Sequence, residues 1–350
     1  MNPSISQKER IVSLDIIRGL ALFGILFINV AGYKVLVEGG PMPDYSGVNG
    51  IIRTLISIFV EKKFFSIFSF LFGVGFYIFA SRAENWGDKP RWRFTRRLLA
   101  LLLLGIIHVL FFWGTILPAY AVIGLLLLPF YHATIYTISK WLGVITGIYV
   151  VALIAKLASP SMGSFSGVIN FIISDSTLIF LMLLAGFLAA KADWIRQIND
   201  FKKQIRWIQI GTFPAVVVFS FWIWTASEKS AENLSQIISI STIPMVLFYV
   251  TTLFSILENK KIQNFCKPVS RVGQMAFTNY VAQSFIGLAI ISFMGLEVVS
   301  PNHVVLISCL VFALQIIYSN VWFVFFKMGP LEKVWRFMTY GRGILTKRNG

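Results

Sequence analysis

Residues 98–113 read Leu98-Leu-Ala-Leu-Leu-Leu-Leu-Gly105-Ile-Ile-His108-Val-Leu-Phe-Phe-Trp113, an apolar run that holds a single ionisable side chain. A run of this kind predicts a membrane-spanning helix. A cluster of arginines surrounds its start: Arg91, Arg93, Arg96 and Arg97. Because an ionisable group at membrane depth is costly, His108 is a candidate functional residue.

The composition of the whole chain also indicates a membrane protein. Of its 350 residues, 57% are hydrophobic and 13% are charged, whereas soluble domains carry about 25% charged residues. The formal net charge of +16 comes from Lys and Arg between the apolar runs. This placement indicates orientation signals and lipid headgroup contacts, not nucleic acid binding. Cys266 and Cys309 fit no metal-ligand spacing, so no metal site is predicted.

Ten apolar windows predict an all-α, polytopic bundle of about ten transmembrane helices, because about 20 residues cross the hydrocarbon core. The windows are 16–36, 64–81, 98–113, 116–131, 136–156, 171–190, 207–225, 237–257, 275–294 and 303–326. The loops are too short for a soluble domain, so residues 1–350 are predicted to form one integral membrane domain. Its parts are 1–131 with four helices, 132–260 with the middle helices, and 261–350 with the last two helices and a tail.

Loop charges predict the orientation of these helices. If the N-terminal segment 1–15 is cytoplasmic, the later cytoplasmic segments include 82–97, 191–206, 258–274 and 327–350. These four segments hold six, five, four and six Lys or Arg residues. This positive-inside pattern predicts that both termini are cytoplasmic. A single crossing over 98–131 would put 82–97 and 191–206 on opposite sides. Two crossings are therefore predicted there.

The first window carries a polar stripe. Asp15, Arg18 and Asn29 lie within about 60° of arc on one helix face, and Asn29 is about 21 Å along the axis from Asp15. Such a stripe is expected to face the bundle or a water-filled cavity. The alternative is a local ion pair between Asp15 and Arg18, with one interhelical hydrogen bond from Asn29.

The third window and the residues just before it carry arginines and a histidine on one helix face. Arg93, Arg97 and His108 share this face, with Arg96 beside them, and His108 is about 16 Å deeper than Arg97. A basic mouth above a histidine suits an elongated anionic ligand whose phosphates bind the arginines. The alternative is a neutral histidine bonded to a neighbouring helix, with arginines that only set the topology.

The ninth window is the most polar. Five side chains within 11 residues can form hydrogen bonds: Gln274, Thr278, Asn279, Gln283 and Ser284. Hydrogen bonds between helices that only stabilise the fold would account for two or three such groups. The full set favours a lined cavity, so Thr278, Asn279, Gln283 and Ser284 are candidate ligand-binding residues.

These segments together resemble a known family. The matching blocks are Arg10–Ala21 with Gly24 to Leu26 and Asn29, then Lys63–Phe76, Arg96–His108, Gly273–Ser284 and Gly329–Tyr340. They resemble the YeiB-like bacterial membrane proteins, the last two blocks their C-terminal domain of unknown function. The resemblance implies a multi-pass protein of the bacterial inner (plasma) membrane. Lys63, which opens the second block, joins the candidate ligand-binding residues.

The N-terminal pattern of that family is similar to that of the heparan glucosaminide N-acetyltransferases. Those enzymes move an acetyl group from cytosolic acetyl-CoA across a membrane to a sugar amine, using a membrane histidine. The resemblance implies that His108 is this histidine. The chain departs from the family at Gly114-Thr115-Ile116-Leu117, where the family commonly reads Gly-Asp-Ile-Leu. A carboxylate that could orient an imidazole is absent there.

Two functions are therefore predicted. In the first, a membrane acyltransferase binds acyl-CoA from the cytoplasm, and His108 acts as general base or is transiently acylated. In the second, a transporter moves a small or anionic substrate with His108 as a proton-carrying group, and older descriptions of the family suggest transport. A scaffold without catalysis is the third reading. Acyl-CoA is the donor expected in the first case, and the oligomeric state is left open.

Overall fold

The computed structural model describes residues 11–39, 41–159 and 165–341. This part of the chain contains fifteen α-helices and no strand, which confirms the predicted all-α class for it. The helices are α1 (Val12–Glu38), α2 (Gly47–Phe59), α3 (Lys63–Asn85), α4 (Pro90–Val109), α5 (Leu117–Leu125), α6 (Ile135–Ala158), α7 (Ser166–Ile172), α8 (Asp175–Lys191), α9 (Lys202–Glu228), α10 (Leu234–Leu257), α11 (Lys260–Phe265), α12 (Lys267–Gln274), α13 (Ala276–Phe293), α14 (Pro301–Phe325) and α15 (Pro330–Tyr340). Of the predicted cytoplasmic ends, 1–10 and 342–350 lie outside the described residues.

Eight helical stretches in the described residues are long and apolar enough to cross a membrane. They are α1, α2 with α3, α6, α7 with α8, α9, α10, α13 and α14. Each overlaps one of the predicted windows, so the chain is a multi-pass helical membrane protein. Within the α1 span 67% of the residues are buried, against 6% for α9. Because lipid solvates apolar side chains, α1 is central and α9 lies at the rim.

The two remaining windows, 98–113 and 116–131, are not among these eight stretches, so the described residues support eight of the about ten predicted spans. α4 ends at Val109, and residues 110–116 form the turn to α5. α5 has nine residues, about 13 Å of helix, which is too short to cross the hydrocarbon core. The turn takes up residues 110–113 and 116, which the hydropathy pattern assigns to helices, together with Gly114 and Thr115 between the two windows.

α4 and α5 instead form a helical hairpin. A Cβ at Gly105 would lie 3.0 Å from the ring of Pro118 in the first turn of α5, so α5 starts beside the second half of α4. The 3₁₀ turn that follows α5 ends at Tyr131, whose hydroxyl donates to Glu84 near the end of α3. The end of this 3₁₀ turn therefore lies near the end of α3, on the side of the bundle from which α4 started.

α3 and α8 pack closely against each other. A Cβ added at Gly73 would lie 2.0 Å from the carbonyl oxygen of Leu183, and one at Gly186 would lie 1.9 Å from that of Phe70. The two backbones are therefore in direct contact, as in small-residue packing between membrane helices.

The ninth predicted window, 275–294, matches α13, and a break at its first residue separates α13 from the short helix α12. α12 ends at Gln274, and α13 begins at Ala276 after a break at Met275. α12 packs tightly on α1, where a Cβ at Gly273 would lie 1.9 Å from the Asp15 carbonyl oxygen. α15 follows α14 and packs against α4 and α13. α1, α4, α13 and α15 therefore surround the candidate site.

Candidate functional site

His108 is the second-last residue of α4 and is only 2% exposed. Its Nδ1 lies 2.9 Å from the Thr115 hydroxyl, across the turn of the helical hairpin. Its Nε2 has no hydrogen-bond partner among the described residues. In the tautomer with the proton on Nδ1, the Thr115 hydroxyl oxygen accepts a hydrogen bond from Nδ1–H, and Nε2 presents a free lone pair.

Aromatic rings enclose the imidazole. Its ring centroid is 5.9 Å from that of Tyr280, 6.2 Å from Phe112 and 6.3 Å from Phe285. The Ile116 amide donates to the Tyr280 hydroxyl at 3.0 Å. Tyr280 therefore ties the turn of the hairpin to α13.

α1 completes the site from the opposite side. The Asn29 side chain lies against the Tyr280 hydroxyl, and Tyr33, one turn further along α1, packs on Phe112 at 5.0 Å. The hydroxyls of Tyr33 and Ser284 face each other, without the geometry of a full hydrogen bond. The polar faces of the first, third and ninth windows thus meet. We call His108, Thr115, Asn29, Tyr33, Tyr280 and Ser284 the His108 cluster.

Several polar atoms of this junction are buried without a hydrogen bond to the described residues. They are His108 Nε2, Asn29 Nδ2, the Tyr33 hydroxyl and the Ser284 hydroxyl within the cluster, and both side-chain polar atoms of Gln283, the residue before Ser284 on α13. These five side chains are between 0% and 8% exposed. Because buried polar groups are almost always bonded, a polar ligand reaching this junction would gain several hydrogen bonds.

The predicted arginine cluster contacts the C-terminal helix. The Arg97 guanidinium lies 4.0 Å from the Trp335 ring centroid, and the Trp335 indole donates to the Arg97 carbonyl oxygen at 2.7 Å. Arg96 donates to the Met338 carbonyl oxygen at 3.3 Å. Arg93 pairs with Asp88 at 2.9 Å. Cations at the carboxyl end of α15 also complement its dipole. We call the end of the bundle at which these arginines lie the arginine end.

Asp15 and Arg18 form an ion pair at 2.9 Å within α1. Arg18 also donates to the Gly273 carbonyl oxygen at 3.4 Å, at the close contact with α12. Arg18 lies on the same face of α1 as Asn29, about 16 Å nearer the arginine end along the helix axis. The described contacts of the pair therefore join α1 to α12.

Asn279 is fully bonded to protein groups. Its amide donates to the Val272 carbonyl oxygen at 2.9 Å and to the Ser319 hydroxyl at 3.1 Å. Its amide oxygen accepts from Tyr318, and Gln315 donates to its backbone carbonyl at 2.8 Å. These contacts fasten α13 to α14.

Glu332, on α15, binds the first turn of α13. Its carboxylate accepts from the amides of Phe277 at 2.8 Å and Thr278 at 3.2 Å, and from the Thr278 hydroxyl at 2.5 Å. Burial raises the pKa of the Glu332 carboxyl, and the hydrogen bonds from Thr278 and Phe277 act in the opposite direction. Thr278 is thus occupied by a protein carboxylate.

Lys63 lies apart from the His108 cluster. It is fully buried at the start of α3, where its ammonium donates to the Ser57 carbonyl oxygen at 2.8 Å. The neighbouring Lys62 pairs with Asp175 at 2.7 Å. In the described part of the chain, no three His, Cys, Asp or Glu side chains are grouped as a metal ion needs.

Sequence reasoning missed Thr115, Tyr33, Tyr280 and Glu332 as members or supports of this site. Tyr33 is four residues after Asn29, and Tyr280 is four residues before Ser284. The helical period would therefore have placed both tyrosines beside the chosen residues. Thr115 had a signal too, since it stands where the family reads Asp. Glu332 had none, because its contact with α13 depends on tertiary packing.

Replacing Glu332 by Ala is expected to lower the free energy of unfolding by about 1 to 2 kcal/mol, because the amides at the start of α13 lose their cap. Glu332→Gln keeps one acceptor oxygen and should cost less. Thermal unfolding of the purified protein in detergent measures both, with Lys333→Ala on the exposed face of α15 as control. Equal midpoints for Glu332→Ala and Lys333→Ala would contradict the capping role.

Comparisons with known proteins give the family. Residues 189–342 match a family described as a protein of unknown function, DUF418. The chain is 31% identical to an uncharacterized 39.9 kDa protein from the amylase 3′ region of Bacillus acidopullulyticus, covering 98% of this chain and 97% of that one.

Two further relatives match this chain over nearly the whole length of both proteins. Uncharacterized protein YxaH of Bacillus subtilis (strain 168) is 29% identical, with 97% of this chain and 96% of the relative covered. Uncharacterized protein YeiB of Escherichia coli (strain K12) is 22% identical, with 95% and 96% covered. No solved structure matches the chain. The chain therefore belongs to the YeiB-like family, with its DUF418 region in the C-terminal part.

Proposed function

We propose that this membrane protein transfers an acyl group from a CoA thioester to an amine or hydroxyl acceptor, with His108 as the general base. The observation that supports this is the buried imidazole, whose Nδ1 is held by Thr115 at 2.9 Å while Nε2 has no described partner. An imidazole fixed through one nitrogen presents the other as a base. The Thr115 hydroxyl takes the orienting position at which the family commonly has Asp.

The transfer step uses the free nitrogen of the imidazole. His108 Nε2 removes a proton from the acceptor amine as the amine nitrogen attacks the thioester carbonyl carbon. The carbon–nitrogen bond forms, the carbon–sulfur bond breaks, and the imidazolium proton passes to the departing CoA thiolate. The products are an amide and CoA thiol. In this proposal the hydroxyls of Tyr33 and Ser284, in the same cluster, stabilise the charge on the carbonyl oxygen.

The donor enters from the arginine end in this proposal. The positive-inside pattern supports cytoplasmic termini and one membrane domain over 1–350, so the arginine end is the cytoplasmic face of the bacterial inner membrane. The donor phosphates bind to Arg93, Arg96 and Arg97. Arg97 lies about 16 Å from His108 along the helix axis, and the pantetheine arm of the donor spans this distance. When the donor binds, its phosphates replace the carbonyl oxygens at the end of α15 as hydrogen-bond partners of Arg93 and Arg96.

Binding of acyl-CoA to the detergent-purified protein tests the proposal. We expect wild type and His108→Gln to bind acetyl-CoA or a longer acyl-CoA, and Arg97→Ala to lose binding. Trp335→Phe is the matched control, because it removes the indole bond to α4 and keeps the arginine charge. The proposal is abandoned if none of the four proteins binds any acyl-CoA.

Transport is the second candidate function. The observation that favours it is the set of unpartnered polar atoms at the His108 cluster, which a small polar substrate would satisfy. A transporter would use His108 as a proton carrier. Proton uptake by proteoliposomes, without release of CoA thiol from acyl-CoA, would select transport over acyl transfer.

Replacing Thr115 by Val is expected to lower the transfer rate roughly tenfold, because His108 Nδ1 loses its partner and the ring loses its orientation. Thr115→Asp supplies the carboxylate common in the family and should transfer at least as fast as wild type. CoA thiol release under saturating donor measures both. Thr95→Val is the control, because that hydroxyl bonds only to the Arg91 carbonyl of its own helix. Equal rates for Thr115→Val and Thr95→Val would contradict the orienting role.

A further inference from the structure

A second polar cavity lies between α12 and α14, outside the His108 cluster. Its volume is about 300 Å³, at the lower end of the range for ligand sites. α11 contributes Asn264, α12 contributes Lys267 and Arg271, and α14 contributes Asn320 and Phe323. The cavity therefore combines two cations, two amides and an aromatic ring.

Among the described residues, the two cations of this cavity have no carboxylate partner. Lys267 and Arg271 are one helical turn apart and so share a face of α12. Neither takes part in the ion pairs of the described residues. The Arg271 guanidinium lies 5.1 Å from the Phe323 ring centroid and donates to Gln274 at 3.4 Å. Two uncompensated positive charges thus face one cavity.

The wall of the cavity is fixed by hydrogen bonds. The Asn320 amide donates to the Pro268 carbonyl oxygen at 3.2 Å and to the Ile316 carbonyl oxygen at 2.8 Å. The first bond joins α14 to α12, and the second lies within α14. The cations are therefore held on a preformed site.

The rim of the cavity is apolar and exposed. Val324, beside Phe323 in the cavity wall, is 77% exposed, and Phe325, the last residue of α14, is 75% exposed. Phe265, before α12, is 86% exposed. Apolar side chains at the end of a membrane-spanning helix lie at the boundary between acyl chains and headgroups. The cations lie at this same boundary.

We propose that this cavity binds the phosphodiester headgroup of an anionic phospholipid, with the acyl chains along α14. Basic pockets between membrane helices are suited to such headgroups, and arginine binds a phosphate through two parallel hydrogen bonds. A free phosphate offers the same charge but leaves the apolar rim uncovered. The rim therefore selects the lipid.

The experiment measures lipid retained by the full chain. The protein is purified in detergent with added phosphatidylglycerol, phosphatidylcholine or inorganic phosphate, and bound molecules are counted by native mass spectrometry. We expect phosphatidylglycerol to be retained and its affinity to fall roughly 30-fold in Lys267→Gln with Arg271→Gln, about fivefold for each charge removed. Lys203→Gln with Arg206→Gln is the control, because it removes two exposed charges from α9.

The outcomes separate the alternatives. Retention of phosphatidylcholine equal to phosphatidylglycerol overturns the proposal, as does equal loss of lipid in the α9 control. Binding of inorganic phosphate as tight as that of phosphatidylglycerol also overturns it, because the site is then one for a free anion. The single variant Lys267→Gln changes an exposed side chain, so its expected fivefold loss keeps the test valid if the double variant does not fold.

Discussion

His108→Gln is expected to lower the rate of acyl transfer by a factor of about 10² to 10⁴, the range for loss of a general base. Glutamine has a similar size and polarity but no basic nitrogen, so the aromatic enclosure by Tyr280, Phe112 and Phe285 should persist. The rate of CoA thiol release in proteoliposomes at saturating acyl-CoA measures the effect. Because the arginines lie about 16 Å away, the donor affinity should stay near that of wild type.

His132→Gln is the matched control for this variant. His132 is exposed in the loop between α5 and α6, and the substitution is chemically the same. Its transfer rate should equal that of wild type. A His108→Gln protein that binds donor and transfers acyl groups as fast as the His132→Gln protein would remove His108 from the reaction.

Hydropathy predicted most of the fold, and its failure at the helical hairpin has a physical cause. A window of apolar residues reports that a segment avoids water, not that it is helical throughout. Residues 110–116 form a turn after α4 in which Phe112 is buried and Leu110 and Trp113 are exposed at the surface of the bundle, and the Ile116 amide bonds to Tyr280. The turn is thus satisfied by side chains from elsewhere. Sequence alone does not supply that partner.

The candidate site, too, could be predicted from the sequence only in part. Periodicity placed His108, Asn29 and Ser284 on helix faces that meet in the structure. It could not assign partners, so Asn279 and Thr278 were grouped with these residues, although protein groups occupy both. The sequence pattern counts polar groups on a face. Tertiary packing decides which of them remain available to a ligand.

The arginine cluster illustrates a further limit. The sequence predicts an accessible basic surface at Arg93, Arg96 and Arg97, whereas the structure places the end of α15 against them. α15 follows them by more than 200 residues in sequence. No local pattern predicts such a contact, because the affinity of α15 for this surface arises from Trp335 and the helix dipole together.

The second large effect is expected at the contact between α3 and α8. Gly73→Ala should lower the free energy of unfolding by about 1 to 3 kcal/mol or more, because the new Cβ meets backbone that cannot turn aside. The added carbon would lie 2.0 Å from the Leu183 carbonyl oxygen. The apparent unfolding midpoint in detergent measures the loss.

Gly75→Ala, two residues further along α3, is the matched control. A Cβ at Gly75 has no atom within 4 Å, and Ala favours the helix over Gly by about 1 kcal/mol. The same substitution should therefore destabilise the protein at Gly73 and stabilise it at Gly75. The sequence Gly73-Val74-Gly75 does not distinguish the two glycines, since either could face α8. Shifts of equal sign at both positions would mean that α3 and α8 are not in backbone contact at Gly73, and that α3 is rotated about its axis relative to α8.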